Sequence, residues 1–320
     1  MRSVLRRYFL WAVALALILL AGELLARYGF GLGSPPLVIA HPSIEYLSLP
    51  SQDVRRFGNR YLTNRYGMRS EDFSADKAVG GYRLMIFGDS VINGGALTDQ
   101  DQLATTRIAR QLRIDRPGPV VVGNVSAGSW GPGNWLAYAR EFGFFQADAV
   151  ILVISTHDYE DVPTFGPLDP TTHPTQAPVS ALVEGMERYL PRYLPKFMAR
   201  KLTADSAPPL PPRDREEDIR RSLADLHDFL VLAQSQSSQV LVFQHWEQKE
   251  LARGIESIGN RKIREVCAAL RVPTFSLAEP FRSAQQRGEQ PYRDNIHPNA
   301  LGQALIADAI LGQLSPNRLP

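Results

Sequence analysis

The chain has 320 residues, 44% hydrophobic and 21% charged, an ordinary composition with ample material for a globular core. A formal net charge of +2 excludes a broad nucleic-acid surface, so no nucleic-acid partner is expected. The single cysteine, Cys267, excludes an intramolecular disulfide or a cysteine-based zinc cluster. It falls in the apolar pattern Ile263, Val266, Cys267, Leu270 and reads as a small core residue.

Tyr8 to Gly22 is continuously apolar apart from the tip of Tyr8, and the run resumes through Leu24-Leu25-Ala26 after Glu23. Arg2, Arg6 and Arg7 precede it, and only Arg27 follows closely. Its length approaches the roughly 17–25 residues a membrane span needs. The positive-inside rule leaves residues 1–7 in the cytoplasm, residues 8–26 in the membrane and the remainder outside, in the periplasm of a Gram-negative cell. A cleaved signal peptide has the same charged and apolar regions. No small-x-small site or lipobox cysteine follows, which favours an uncleaved signal anchor.

Residues 27–80 read as a linker and irregular preamble without sustained periodicity. Pro35-Pro36, Pro42 and Pro50 predict an extended start. Tyr46, Tyr61, Tyr66 and Met68 are too large and numerous for a free tether, so the segment is expected to pack along the domain.

From residue 81 the pattern alternates. Arg83–Phe87 predicts a first strand, followed by a helix over Gln102–Leu112 with Asp99 or Asp101 as its cap. Val120–Val125 is a second strand and Gly133–Phe145 a helix opened by Pro132. Ala149–Ile154 is a third strand. A long helix over Glu216–Ala233 precedes a fourth at Val240–Phe243. Leu251–Leu270 predicts one helix, Val272–Phe275 a short strand and Leu301–Leu314 a closing helix. Continuous Val-Val-Val and Ala-Val-Ile-Leu-Val-Ile runs fit strands buried on both faces, hence a five-stranded parallel sheet in a three-layer α/β/α sandwich. Residues 159–212 interrupt this rhythm with a proline-rich insertion. Within it, Val179–Leu190 and Tyr193–Lys201 have the pattern of short helices, and the whole is expected to form a lid or substrate wall.

The first strand breaks into Gly88-Asp89-Ser90, and open α/β sheets keep their ligands at such carboxyl ends. A serine there is equally an ordinary turn residue, and the rest of the chain has to decide. Asp294-Asn295-Ile296-His297-Pro298 precedes the last helix. An aspartate three residues ahead of a histidine can orient the ring through Nδ1 and leave Nε2 to take a serine's proton.

Together these stretches resemble the first and last blocks of the SGNH (GDSL-type) hydrolase superfamily. Asn124-Val125-Ser126-Ala127-Gly128-Ser129-Trp130-Gly131 and Ser155-Thr156-His157-Asp158 fall where that family has its middle blocks. Asn64-Arg65-Tyr66-Gly67-Met68-Arg69 resembles a segment found upstream in exported members. The resemblance spans roughly residues 55–314 and implies a flavodoxin-like SGNH fold. It implies Ser90 as nucleophile, His297 as general base and acid, and Asp294 as orienter, with no cofactor. It also implies an oxyanion hole from backbone N–H groups of Ser90 and of Gly128 or Ser129, plus a third-block side chain. This chain places His157 where the family has asparagine. An imidazole N–H can still donate there; otherwise the hole is incomplete. The expected substrate is a small-acyl ester or an acylated carbohydrate. Alternatives are an acetyltransferase using the same residues, or a catalytically weak glycan-binding or envelope-assembly protein.

Asp89, Trp130, His245 and Trp246 are the candidates for the substrate cleft. Trp246 either offers its ring to a sugar or anchors the next helix, and Trp130 and Trp135 pose the same alternative. His173 is expected to be exposed. Asp158 and Asp161 lack a paired histidine or cysteine pattern, so no metal is expected.

Overall fold

The computed structural model describes residues 2–193 and 213–314. Helix α1 (Arg2–Leu24) extends through one wider turn, Leu25–Gly29, and the whole is long and apolar enough to cross a membrane.

The preamble is more regular than its sequence predicts. It forms two antiparallel hairpins, β1 (Val38–His41) with β2 (Glu45–Ser48), and β3 (Asp53–Arg56) with β4 (Asn59–Leu62). Four-residue strands are too short to show a period, and β3 and β4 carry three arginines and an aspartate.

The sheet comprises β5 (Tyr82–Gly88), β6 (Val120–Ser126), β7 (Ala149–Ser155), β8 (Gln239–His245) and β9 (Thr274–Ser276). All neighbouring pairs are parallel, in the order β6-β5-β7-β8-β9. This is the expected three-layer sandwich. In β7, Val150, Leu152 and Ile154 pack into one core, while Ala149, Ile151 and Val153 pack into the other. Both faces of the strand are dry, so its sequence has no polar alternation. The first core meets α4 (Pro132–Phe142), α6 (Arg215–Gln236) and α8 (Ile258–Ala269). The second meets α2 (Ser90–Asn93), α3 (Ala104–Asp115), α9 (Ala278–Gln286) and α10 (Ala300–Leu314). Strand order reverses at β5, which places Ser90 at the switch point where such sheets bind ligands.

Three helices differ from expectation. The predicted Leu251–Leu270 helix is two, α7 (Gln248–Arg253) and α8, because Gly254 adopts φ +66° and ends the first. Ser257 then caps the second, accepting from Asn260 N at 3.2 Å. Asp99 caps a tight turn at Gln100–Gln102, so α3 starts later, at Ala104. Helix α9, rich in Gln, Ser and Glu, had no clear sequence signal.

In the insertion, α5 (Ala181–Glu184) runs into a π turn and a 3-10 turn ending at Tyr193. The rest of the predicted Tyr193–Lys201 helix lies outside the described residues. This segment is docked at both ends. Glu23 of α1 accepts from Ala181 N and Leu182 N, each at 3.0 Å. Glu184, wholly buried, takes both terminal nitrogens of Arg56 at 2.7 and 2.5 Å, Gly33 N at 2.6 Å and Arg188 at 2.9 Å.

Removing one member of a buried ion pair leaves the other charge unpaired, at a cost of about 3–5 kcal/mol. Glu184→Gln in the full chain should lower the urea midpoint accordingly. The double change Arg56→Met with Glu184→Leu should recover only part of that loss, because Gly33 N and Arg188 still lose their acceptor.

Candidate active site

Gly88 ends β5 because a larger residue does not fit. A Cβ there would lie 2.6 Å from Ile92 Cγ2 and 2.8 Å from Val153 O. Asp89 follows as N-cap of α2, its Oδ1 accepting from Val91 N at 2.8 Å. The turn leaves Ser90 half-buried as the first residue of the helix, with its N–H outside the helical ladder.

Ser90 Oγ lies 2.9 Å from His297 Nε2. His297 Nδ1 lies 3.0 and 2.8 Å from the two oxygens of Asp294. A carboxylate only accepts, so Nδ1 carries the proton and the Nε2 lone pair faces the serine hydroxyl. Partial burial works against the charge of Asp294. The His297 and Ile296 backbone N–H groups and the His297 ring outweigh it and hold the carboxyl below its ordinary range.

The Asp294–His297 loop is fixed from several sides. Arg293 N donates to His297 O at 2.8 Å, and Gln248 N to Asn295 O at 2.7 Å. Fully buried His245 holds Ile296 O through Nε2 at 2.7 Å, and burial lowers the pKa of its ring. Asn299 caps α10, while Gln303 bonds Val91 O at 2.7 Å and accepts from Ala104 N at 2.9 Å, tying that helix to α2 and α3.

His157 sits beside Asp89 at the end of β7. Its Nδ1 is 3.2 Å from Glu247 Oε1, and Glu247 Oε2 accepts from Asn295 Nδ2 at 2.7 Å. Its Nε2 lies 3.5 Å from Asp89 and 3.6 Å from Asp158, too far for a full hydrogen bond to either. Burial disfavours the charged ring, but Asp158, Glu247 and Asp89 outweigh it and push its pKa up to about 10. The bond from His157 holds Glu247 below its ordinary value, whereas burial pushes Asp158 well above its own. The cluster of Asp158, Glu247 and Asp89 thus favours a protonated His157 ring. Ser155 Oγ completes it, donating to Asp89 Oδ2 at 2.9 Å. Ligand atoms of Asp89, His157 and Asp158 lie within 4.8 Å of one another, a spacing a metal could use.

Other candidates lie elsewhere than expected. Trp130 is 2% exposed and donates through Nε1 to Tyr46 O at 3.1 Å, so it offers no face to a cleft. Asp89 and His245, both 0% exposed, brace the site from beneath its surface. Trp246 is half-buried against the second core. His173 is half-buried and packs edge-on against Tyr46, with ring centroids 4.7 Å apart. Asn124 faces the interior, donating to Ile92 O at 3.0 Å and Thr105 Oγ1 at 3.2 Å. Ser129, not Gly128, takes the left-handed conformation, with φ +58°. Glu247, Asn295 and Ser155 are site residues the sequence did not single out. Their contacts cross up to 90 positions, and only their place just past strand ends or beside His297 marks them.

The raised pKa of His157 fixes a pH dependence. Its contribution to stability is full below about pH 6.5, the ring's ordinary value, and is lost as pH climbs through about 10. Nitrogen-15 spectra at pH 8 should show both ring nitrogens of His157 protonated. A neutral tautomer at that pH would contradict the cluster's charge assignment.

The profile of the GDSL-like lipase/acylhydrolase family matches residues 86–305. A search of curated proteins finds no match. Among solved structures, the chain is similar to an acetylxylan esterase from Geobacillus stearothermophilus at 12% identity and TM-score 0.46, covering 76% of this chain and 97% of that one. It is similar to a lipolytic G-D-S-L protein from Veillonella parvula at 13% identity and TM-score 0.42, covering 74% and 100%. A two-domain esterase active on acetylated mannans aligns at 12% identity and TM-score 0.47, covering 74% and 50%. With its Gly88-Asp89-Ser90 turn at the head of a match that takes in most of the sheet, this chain belongs to the GDSL-like lipase/acylhydrolase family.

Proposed function

We propose that the chain is a membrane-anchored, extracytoplasmic serine esterase acting on small acyl esters, acetyl above all, of cell-envelope or exported polysaccharide. Residues 1–7 are cytoplasmic, 8–26 anchor the protein, 27–80 link and pack along the domain, and 81–320 form the hydrolase domain. The observation that carries the chemistry is the chain of contacts from Asp294 through His297 to Ser90, at 2.8 and 2.9 Å. The substrate class rests on the family resemblance and on the apolar N-terminal helix.

Ser90 Oγ attacks the ester carbonyl carbon while His297 Nε2 takes its proton. The tetrahedral intermediate collapses, and His297 returns the proton to the departing alcohol oxygen. A water then repeats the sequence against the acyl-serine and releases the acid. Charge developing on the carbonyl oxygen is met by the N–H groups of Ser90 and of Gly128 or Ser129. The third donor is Nε2–H of His157. Its distances of 3.5 and 3.6 Å to Asp89 and Asp158 leave this proton available to another acceptor. A cationic donor forms a stronger hydrogen bond than the amide it replaces.

Ser90→Ala should lower p-nitrophenyl acetate turnover by about 10⁴-fold or more, and His297→Ala similarly. His157→Ala should lower kcat by about 100- to 1,000-fold with little change in KM, and His157→Asn should restore part of the loss. Unchanged kcat in His157→Ala would remove this residue from the oxyanion hole. Acyl delivery to an added sugar faster than to water would reassign the enzyme as a transferase.

A further inference from the structure

Glu23 is the only acidic or basic residue between Tyr8 and Ala26, the stretch that the proposed function places in the bilayer. A carboxylate at membrane depth is costly unless it is paired. Arg27 Nη2 donates to its Oε1 at 2.8 Å. The N–H groups of Ala181 and Leu182, at the start of α5, donate to Oε1 and Oε2 at 3.0 Å each. The insertion thus satisfies the one charge within the span, which it can do only if α5 accompanies α1 to the membrane boundary.

The depth of this contact follows from helix geometry. A Cβ built on Gly22 would lie 3.4 Å from Leu182 Cδ1, so the insertion packs along α1 at that level. Gly22 precedes Ala26 by four residues, about 6 Å along a helix. Amphipathic segments at a membrane surface bury their apolar side roughly 5–10 Å into the headgroup and acyl boundary, which is the same layer.

The side chains around the contact suit that layer. Val179, Met186, Leu190 and Tyr193 of the insertion are between 44% and 94% exposed, and Tyr28 and Phe30 are exposed just past the span. Ala181 and Glu184 of the same segment are buried, so its two sides differ in character. Exposed Glu187, next to Met186, disfavours attraction to anionic lipid. Apolar burial, with aromatic rings at headgroup level, is the contact this surface offers.

We propose that the bilayer holding α1 also receives the insertion, with Val179, Met186, Leu190 and Tyr193 resting in its headgroup layer beside the exit of α1. The inference rests on the membrane-anchor reading of α1 and is independent of the ester chemistry. The domain is then held at the lipid surface by two elements distant in sequence.

Spin labels on the full-length protein in phosphatidylcholine vesicles test this surface. Labels go on Met186→Cys and Leu190→Cys, with Leu17→Cys in α1 and exposed Ile114→Cys on the last turn of α3 as references. The native Cys267 is buried, away from the labelling reagent. The ratio of collisions with lipid-dissolved oxygen to collisions with a water-soluble nickel chelate should be highest at Leu17 and lowest at Ile114. Met186 and Leu190 should fall between them. A lipid-like Leu17 with Met186 and Leu190 equal to Ile114 would overturn the docking surface and leave the anchor standing. Shielding of Met186 and Leu190 from both reagents would also overturn it, by showing a protein cover in place of lipid. A water-like Leu17 would overturn the anchor reading and the docking surface together.

Discussion

The buried carboxylate of Asp89 is the constraint on which the site depends. One oxygen caps the helix that begins at Ser90, and the other takes the Ser155 hydroxyl from the end of β7 and faces the His157 ring. Asp89 thus sets the turn that carries Ser90 and joins two adjacent strand ends. His157 passes the linkage on through Glu247 to Asn295, inside the loop that carries His297. Ser90 and His297 are separated by most of the chain, yet they are held by one continuous network of hydrogen bonds and close polar contacts.

A second assembly surrounds that network. Glu23 at the end of α1 caps α5, and Glu184 joins α5 to the β3–β4 hairpin and to Gly33. The apolar N-terminal helix is therefore built against the insertion.

The sheet was legible in the sequence because strands buried on both faces are runs of apolar residues with no competing reading. The Gly-Asp-Ser and Asp-x-x-His pairs were legible because their roles depend on local turns and on position at strand ends. What stayed hidden depends on direction. Trp130 and His245 follow or end strands, where the sense of one turn decides between cleft and core. Ser129 takes a left-handed backbone just before Trp130, whose ring lies in the core. The hairpins escaped notice for a related reason. Phe57-Gly58 makes the tight turn of β3–β4 with φ +50° and +80°, and phenylalanine is no turn signal. Glu247 had no signal beyond its place just past β8, since its partner His157 is 90 positions away.

The most direct test of the central claim is covalent trapping. A fluorophosphonate added to the full-length protein should form a single adduct on the peptide carrying Ser90, and the rate should collapse when His297 is replaced by alanine. Labelling at another serine with Ser90 unmodified, or labelling of Ser90 at an undiminished rate without His297, would contradict the account.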